Sequence, residues 1–481
     1  MPWRFARFLG AGSLCCSAGV SWAQGAALPP EIEAALVRSK LPRDAISLVV
    51  VDAQALPGRT VARLSHRAGQ RMNPASVMKL VTTYAALDLL GPAYTWTTPV
   101  YAEGTVQDGT LKGNLYIKGQ GDPKLVLERL WLLLRRVQAT GIRQIDGNIV
   151  LDRSGFEVPD SDPASFDGEP LRPYNAAPDA LLVNFKTLVF SFVPDSAKGV
   201  ALISAEPPMA NVQIPANVAL SNGDCADYRG ALKADFSDPL RIRFAGTYSV
   251  ACGDKVWPVA YADPKGYAAR AVEGMWKDQG GKLNGNVSYG RVPANLRPIF
   301  EHPSPALAEV VRDINKYSNN VMAQQVLLTL GWRMSTTPVP AANFEKSREV
   351  MQRWWKDRLP DAEAPLLENG SGLSRQERIQ PQALAQMLQS AYQSPVMPEL
   401  VASLPIIGVD GTLRRNKARA AQGSAHLKTG SLRDVAAIAG YVLGNSGKRY
   451  VLVAIANHPT PGTANAARPV FDALIEWTQA D

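Results

Sequence analysis

Hydrophobic and polar positions fall into three successive textures along the chain. Near the start, Ile46-Ser47-Leu48-Val49-Val50-Val51-Asp52 reads as a buried strand, and Asn73-Pro74 then opens an apolar-periodic stretch from Ala75 to Leu90, a loop leading into a buried helix. Over 98–298 the pattern changes to alternating segments such as Gly113-Asn114-Leu115-Tyr116-Ile117-Lys118 between Gly, Pro and Asp turns. That texture predicts a β-rich region with at least one helix, over about 124–140. Helical periodicity returns over 305–332 and 342–358, strands are expected at 436–443 and 450–457, and a closing helix at 467–479. The economical assembly is an α/β (α+β) fold in which both ends of the chain share one sheet, helices pack on it, and the middle of the chain is inserted. No repeat of solenoid period is present.

Length and termini refine this picture. At 481 residues the chain exceeds the roughly 250–300 at which a single core stops growing, so two or three domains are expected. Arg4 and Arg7, an apolar and small-residue run over 8–20, and Ser21-Trp22-Ala23 predict a cleaved export signal at 1–23. The run is shorter than the roughly 20 apolar residues of a spanning helix. Leu14 before Cys15 also departs from a lipoprotein signal. Cys225 and Cys252 remain, an even count in an oxidising compartment, which predicts a disulfide contributing on the order of 3–4 kcal/mol.

Composition excludes whole classes. With 46% hydrophobic and 20% charged residues and no low-complexity tract, the chain is neither disordered nor fibrous. The formal net charge of +8 suits attraction to anionic cell-wall polymers or membrane surfaces. The basic residues are scattered, without the runs or aromatic motifs of nucleic-acid binders. No second apolar run of spanning length and no amphipathic anchor at the C-terminus are found, so the exported protein is expected to be soluble or peripherally bound.

Three short motifs carry chemistry. Ser76-Val77-Met78-Lys79 opens the first helix, and one helical turn places the lysine on the same face as the serine. Serine is a weak nucleophile until a neighbour takes its proton, and a lysine can do so once burial and adjacent positive charge lower its pKa. Val77, Met78 and Leu80 make that burial plausible. Alone, the motif could equally be a capped helix with a solvated lysine. Ser318-Asn319-Asn320, within the 305–332 helical region, adds a hydroxyl for proton relay and an amide able to hold both a lysine and a substrate carbonyl. Lys428-Thr429-Gly430 before Ser431-Leu432 reads as a strand whose lysine can bind a carboxylate and whose Gly430 allows close backbone approach. Together and in this order the three form the motif set of penicillin-binding proteins and class A β-lactamases.

The chain resembles the class C low-molecular-mass penicillin-binding proteins, the D-alanyl-D-alanine carboxypeptidases/endopeptidases, over nearly all of its length after the signal. Beyond the three motifs, the resemblance includes Gly121-Asp122-Pro123, Ile145-Asp146-Gly147-Asn148 with Asp152, Gly370-Ser371-Gly372-Leu373-Ser374-Arg375, and Asp410-Gly411-Thr412-Leu413. A long insertion between Ser-x-x-Lys and Ser-x-Asn is itself a family trait. The resemblance implies a transpeptidase/β-lactamase-like catalytic domain at 24–97 and 299–481, with two inserted domains at 98–298. It implies that Ser76 attacks the carbonyl between two D-alanines, Lys79 is the base, Ser318 and Lys428 pass a proton to the leaving amine, and Asn320 positions the substrate. Backbone N–H groups of Ser76 and Ser431 would form the oxyanion hole, and Lys428, Thr429, Gly430 and Ser431 the carboxylate-binding strand. The acyl-enzyme is released by water, so no metal or organic cofactor is implied. The expected partners are peptidoglycan stem peptides and, as covalent inhibitors, β-lactams, in the periplasm.

Two positions keep alternatives open. Arg375 falls where similar proteins recognise the free end of a diaminopimelate side chain, a contact suited to a bidentate guanidinium, although a structural salt bridge would explain it equally. The family's acidic residue at that pocket aligns with Pro170, with Asp167 and Glu169 nearby. Tyr317-Ser318-Asn319-Asn320 also admits the register Tyr317-x-Asn319 of class C β-lactamases and esterases, though alignment with the family favours Ser318-x-Asn320. His66, His302, His426 and His458 lack metal-ligand spacing, and His426 reads as structural. The competing functions are a β-lactamase or esterase on the same core, and a non-catalytic peptidoglycan-binding protein.

Overall fold

The computed structural model describes residues 27–481 except 60, 338, 339, 417 and 419, so the expected export signal lies outside the described residues. Five antiparallel strands form the central sheet, in the order Ala425–Leu432, Val435–Leu443, Arg449–Asn457, Ile46–Asp52 and Leu64–His66. Both ends of the chain thus meet at one ladder, where Val49 faces Val453. The strands are apolar at nearly every position because both faces are covered. Val49, Val51, Ala439 and Val453 enter a core with the helices Lys79–Leu90, Asn320–Arg333 and Pro381–Tyr392. Leu48, Val50, Ile438 and Leu452 enter another beneath Pro30–Ser39 and Thr463–Gln479. Strand parity, a period of two, assigns each residue to its layer.

Register then orients the Lys-Thr-Gly motif. Lys428 sits opposite Ala439 and Gly430 opposite Ala437, so both face the helical layer rather than the terminal helices. Their strand is the last of the five, and the outward edge of its first residues bridges to the 405–407 segment, with Leu427 N–H donating to the Pro405 carbonyl at 2.9 Å and Ile407 N–H to the Ala425 carbonyl at 3.0 Å, upstream of the motif.

Between the ends of the chain, a second five-stranded sheet runs Val287–Tyr289, Ile149–Asp152, Leu115–Lys118, Thr97–Ala102 and Phe300–Pro303. A third has Val200–Glu206 at its centre, paired with Thr187–Asp195 on one side and Asn217–Ser221 on the other. Two helices, Leu127–Ala139 and Tyr267–Asp278, pack in a common core with these sheets. The second buries Tyr267, Ala271, Val272, Met275 and Trp276 along one stripe, a 3.6 periodicity that the surrounding turn-rich texture masks. Cys225 and Cys252 are disulfide-bonded across a separation of 27 residues. Replacing both by serine should lower thermal stability by about 3–4 kcal/mol, the loop-closure contribution. Scanning calorimetry on wild type and the double variant measures this, and an unchanged transition would remove the disulfide from any stabilising role.

Two elements depart most from the sequence reading. The closing helix begins at Thr463, because Pro469 is accommodated inside it, whereas a proline ordinarily marks a helix start. The 305–332 segment is two helices, Leu307–Tyr317 and Asn320–Arg333, broken at Ser318 in the left-handed region with φ 58°. Apolar periodicity continues across the break, so only the backbone conformation of Ser318 reveals it.

Candidate active site

The nucleophile motif begins on a short 3₁₀ turn, Ala75–Met78, that runs directly into the Lys79–Leu90 helix. Ala75 carries φ 45°, a conformation costing about 1–3 kcal/mol in a non-glycine residue and sustained only by its surroundings. Asn73 supplies them. Its Oδ1 accepts the Ala75 N–H at 2.8 Å and its Nδ2 donates to the Ser374 carbonyl at 2.9 Å. Asn457 pairs with the Asn73 backbone through both its amide oxygen, at 2.7 Å, and its amide nitrogen, at 2.9 Å. The turn is therefore clamped between the central sheet and the Gly370–Ser374 loop.

Ser76 is half-buried and open to the cleft, whereas Lys79 beside it is wholly buried. Lys79 Nζ lies 2.8 Å from Ser76 Oγ and 2.6 Å from Asn320 Oδ1, and it also reaches the Ser371 carbonyl. Two of these partners can only accept; the serine hydroxyl can also donate. A neutral Lys79 that donates to Asn320 and Ser371 keeps its lone pair for the Ser76 proton. Burial, followed by the charge of Lys428, drives the Lys79 pKa well below its usual value, while Glu377 opposes the shift.

Across the cleft, the left-handed turn at Ser318 aims its hydroxyl at the edge strand, where the wholly buried Lys428 Nζ donates to it at 2.8 Å and to the Thr429 carbonyl at 2.7 Å. Burial lowers the Lys428 pKa to about 7. The break is capped by Asn319, which accepts the Met322 N–H, while Tyr317 is largely exposed. Geometry therefore places Ser318 and Asn320, rather than Tyr317 and Asn319, against the two lysines. Asn320 donates one amide hydrogen to the Tyr174 carbonyl at 3.0 Å, which leaves the other for a substrate carbonyl.

Gly430 makes its close approach to the chain's own backbone. A Cβ there would fall 2.6 Å from the Pro74 carbonyl and 2.9 Å from the Ser76 nitrogen, so only glycine lets the edge strand lie directly against the nucleophile turn. Thr429 Oγ1 pairs with Thr412 Oγ1 at 2.7 Å, and Ser431 is exposed at the cleft.

Arg375 pairs with Asp434 Oδ1 at 2.6 Å, and its guanidinium lies over the Phe166 ring at 4.8 Å. With Asp167, Tyr174 and Arg433 it lines a cavity that opens onto Ser76 and Asn320. Asp167 is the acidic side chain at this wall, whereas Glu169 pairs with Arg172. Hydrogen bonds from Asn175 and Tyr174, both at 2.8 Å, help hold the Asp167 carboxyl below its usual range against the effect of burial.

Glu377 escaped the sequence reading. Wholly buried, it accepts the N–H groups of Glu368, Asn369 and Gly370 on one oxygen, at 2.9–3.0 Å. It thereby shapes the turn whose Ser371 carbonyl holds Lys79, and burial pushes its own pKa up. An acidic residue between Gln376 and Arg378 looks like surface in one dimension. His426 contacts the Val401 carbonyl, as expected of a structural residue.

A serine and a buried lysine on a helix start, faced by a Ser-x-Asn turn and a Lys-Thr-Gly edge strand, define a penicillin-interacting serine hydrolase. The chain belongs to the D-Ala-D-Ala carboxypeptidase 3 (S13) family, whose model matches residues 28–480, and it is a serine-type D-alanyl-D-alanine carboxypeptidase. It is 29% identical over 441 residues to a D-alanyl-D-alanine carboxypeptidase of Actinomadura sp. (strain R39), covering 86% of this chain and 78% of that one. Identity to the D-alanyl-D-alanine carboxypeptidase DacB of Haemophilus influenzae is 24% over 397 residues, 81% of each chain. The fold is similar to the crystal structure of penicillin-binding protein 4 from Haemophilus influenzae, with a TM-score of 0.72, 22% identity, and coverage of 93% of this chain and 98% of that one.

Proposed function

We propose that the protein cleaves both free D-Ala-D-Ala ends and D-alanyl cross-links of peptidoglycan through an acyl-enzyme at Ser76. The observation that carries this reading is the buried Lys79 Nζ, 2.8 Å from Ser76 Oγ with its other partners acceptor-only. Lys79 takes the hydroxyl proton as Ser76 Oγ bonds to the carbonyl carbon. The backbone N–H groups of Ser76 and Ser431 bind the oxyanion, each donor supplying about 10²–10³ in rate. As the carbon–nitrogen bond breaks, Ser318 gives its proton to the leaving amine and recovers one from Lys428. Water then attacks the ester, its proton passing through Ser318 to the now neutral Lys428, while Lys79 returns its proton to Ser76 Oγ as the acid leaves, so both amines regain their starting states. Lys428, Thr429 and Ser431 grip the carboxylate of the departing residue, and Arg375 with Asp167 takes the far end of the stem-peptide side chain on the acyl side. Residues 98–298, which contribute Asp167 and Tyr174 to the site, act as inserted domains, and the enzyme works in the periplasm after export.

Release of D-alanine from a D-Ala-D-Ala peptide tests the reading, together with its pH profile. Acylation requires neutral Lys79, so kcat/KM rises with pH through that lowered pKa. It also requires protonated Lys428, so kcat/KM falls as pH passes about 7. A bell with its alkaline limb near neutrality is expected; an alkaline limb only at the ordinary lysine value of 10.5 would remove Lys428 from the proton relay. A chromogenic cephalosporin should give a stoichiometric burst, whereas rapid turnover would indicate a β-lactamase.

A further inference from the structure

Two cavities meet at Ser76, Ser318 and Ser431. One leads to Arg375 and Asp167, on the acyl side. The other contains Thr429, the carboxylate-gripping threonine, and so receives whatever lies beyond the scissile bond. A terminal D-alanine ends at its carboxylate, yet this cavity continues past Thr429 to Thr412, Arg415, Asn416, Arg468 and Phe471. The hydrolysis of a free D-Ala-D-Ala end has no use for that extension.

The extension is built from two elements. Asp410 is anchored by Lys316 Nζ at 2.6 Å and by the Ile406 N–H at 2.8 Å, and Gly411, at φ 55°, turns the chain back toward the cleft. The Thr412–Thr429 contact fastens this turn to the edge strand, which brings Arg415 to the cavity wall. Arg468 comes from the second turn of the Thr463–Gln479 helix. Both arginines are exposed, and neither forms an ion pair among the described residues. Asp472, which shares the cavity, accepts from Asn416 Nδ2 at 3.0 Å. Two exposed guanidiniums beyond the leaving-group position make a wall suited to carboxylates.

A cross-link differs from a free end in what leaves. The departing amine belongs to a second stem peptide, which continues past the bond and bears carboxylates of its own. We infer that Arg415 and Arg468 form a leaving-strand subsite for those carboxylates, selecting cross-linked peptide over free ends. This rests on the acyl-enzyme reading above and names the subsite that would let the same serine act as an endopeptidase.

The test compares two substrates of the mature full-length enzyme: a single-stem D-Ala-D-Ala peptide, and a dimer of two stem peptides joined through D-alanine, both followed by chromatography with mass detection. In the double variants R415Q/R468Q and R415E/R468E, kcat/KM for the dimer should fall by roughly tenfold or more, the glutamate pair losing most, as expected when charge-assisted contacts are removed or reversed. Single-stem hydrolysis and penicillin acylation should stay within about twofold, which also reports that the variants are folded, and added salt should erase part of the wild-type advantage on the dimer. The inference is overturned if dimer and single-stem rates change in parallel, or if wild type cleaves only the single stem. Failure of wild type on both substrates would overturn the acyl-enzyme reading itself, and the subsite with it.

Discussion

Alanine at position 76 should lower kcat on a D-Ala-D-Ala peptide by about a million-fold, the scale on which serine hydrolases lose activity with their nucleophile. It should also abolish the penicillin adduct. Intact-protein mass spectrometry after incubation with penicillin, followed by peptide mapping, measures both. Wild type should carry one long-lived adduct on the peptide containing Ser76. The fold should survive, because Ser76 is half-buried and its hydroxyl has Lys79 as its one hydrogen-bond partner among the described residues, so removing Oγ opens no large cavity. The turn itself is held by Asn73 and Asn457. Retained labelling in the variant would transfer the nucleophile to another residue; absence of any adduct on wild type, with the drug unchanged, would favour a non-catalytic peptidoglycan-binding protein.

Lys79→Met should lower both peptide turnover and the rate of penicillin acylation by about 10²–10⁴-fold, the range for loss of a general base. Methionine approximates the length of the lysine without its amine. The cost in stability comes from Asn320 Oδ1 and the Ser371 carbonyl, which lose a buried donor at about 1–3 kcal/mol for each unsatisfied group. Relief of the burial of a titratable amine offsets part of that. The melting temperature should therefore drop by only a few degrees while acylation nearly stops, as read by circular dichroism and stopped-flow penicillin labelling. Acylation within tenfold of wild type would assign the base elsewhere, with Lys428, through Ser318, the next buried amine in line.

These expectations were partly legible in one dimension. Ser-x-x-Lys spans one helical turn, so a local rule brings Lys79 to Ser76, and the 2.8 Å contact needs no long-range information. The strands at both ends announce themselves because a sheet covered on two faces is apolar at almost every position. The disulfide between Cys225 and Cys252 follows from an even cysteine count in a chain expected to be exported. Motif order was enough for the family.

Other features have no local signature. The left-handed Ser318 lies inside an unbroken apolar periodicity, and its conformation is sustained by the Asn319 cap and by Lys428, 110 residues away. Glu377 resembles a surface acid until folding buries it against three backbone amides. Asp167 could not be chosen over Glu169 by alignment; what separates them is that one turn faces the cleft and the other faces Arg172.

The sequence by itself determined the candidates for the chemistry: which hydroxyl, which amines, and a strand suited to a carboxylate, because each depends on residue type and spacing within a few positions. Only the tertiary structure decided the state of those groups. The depressed pKa values of Lys79 and Lys428, the choice of Ser318-x-Asn320, and the second cavity with Arg415 and Arg468 all depend on burial and on contacts between segments hundreds of residues apart. Desolvation and long-range contact are properties of the packed chain, and no local pattern encodes them.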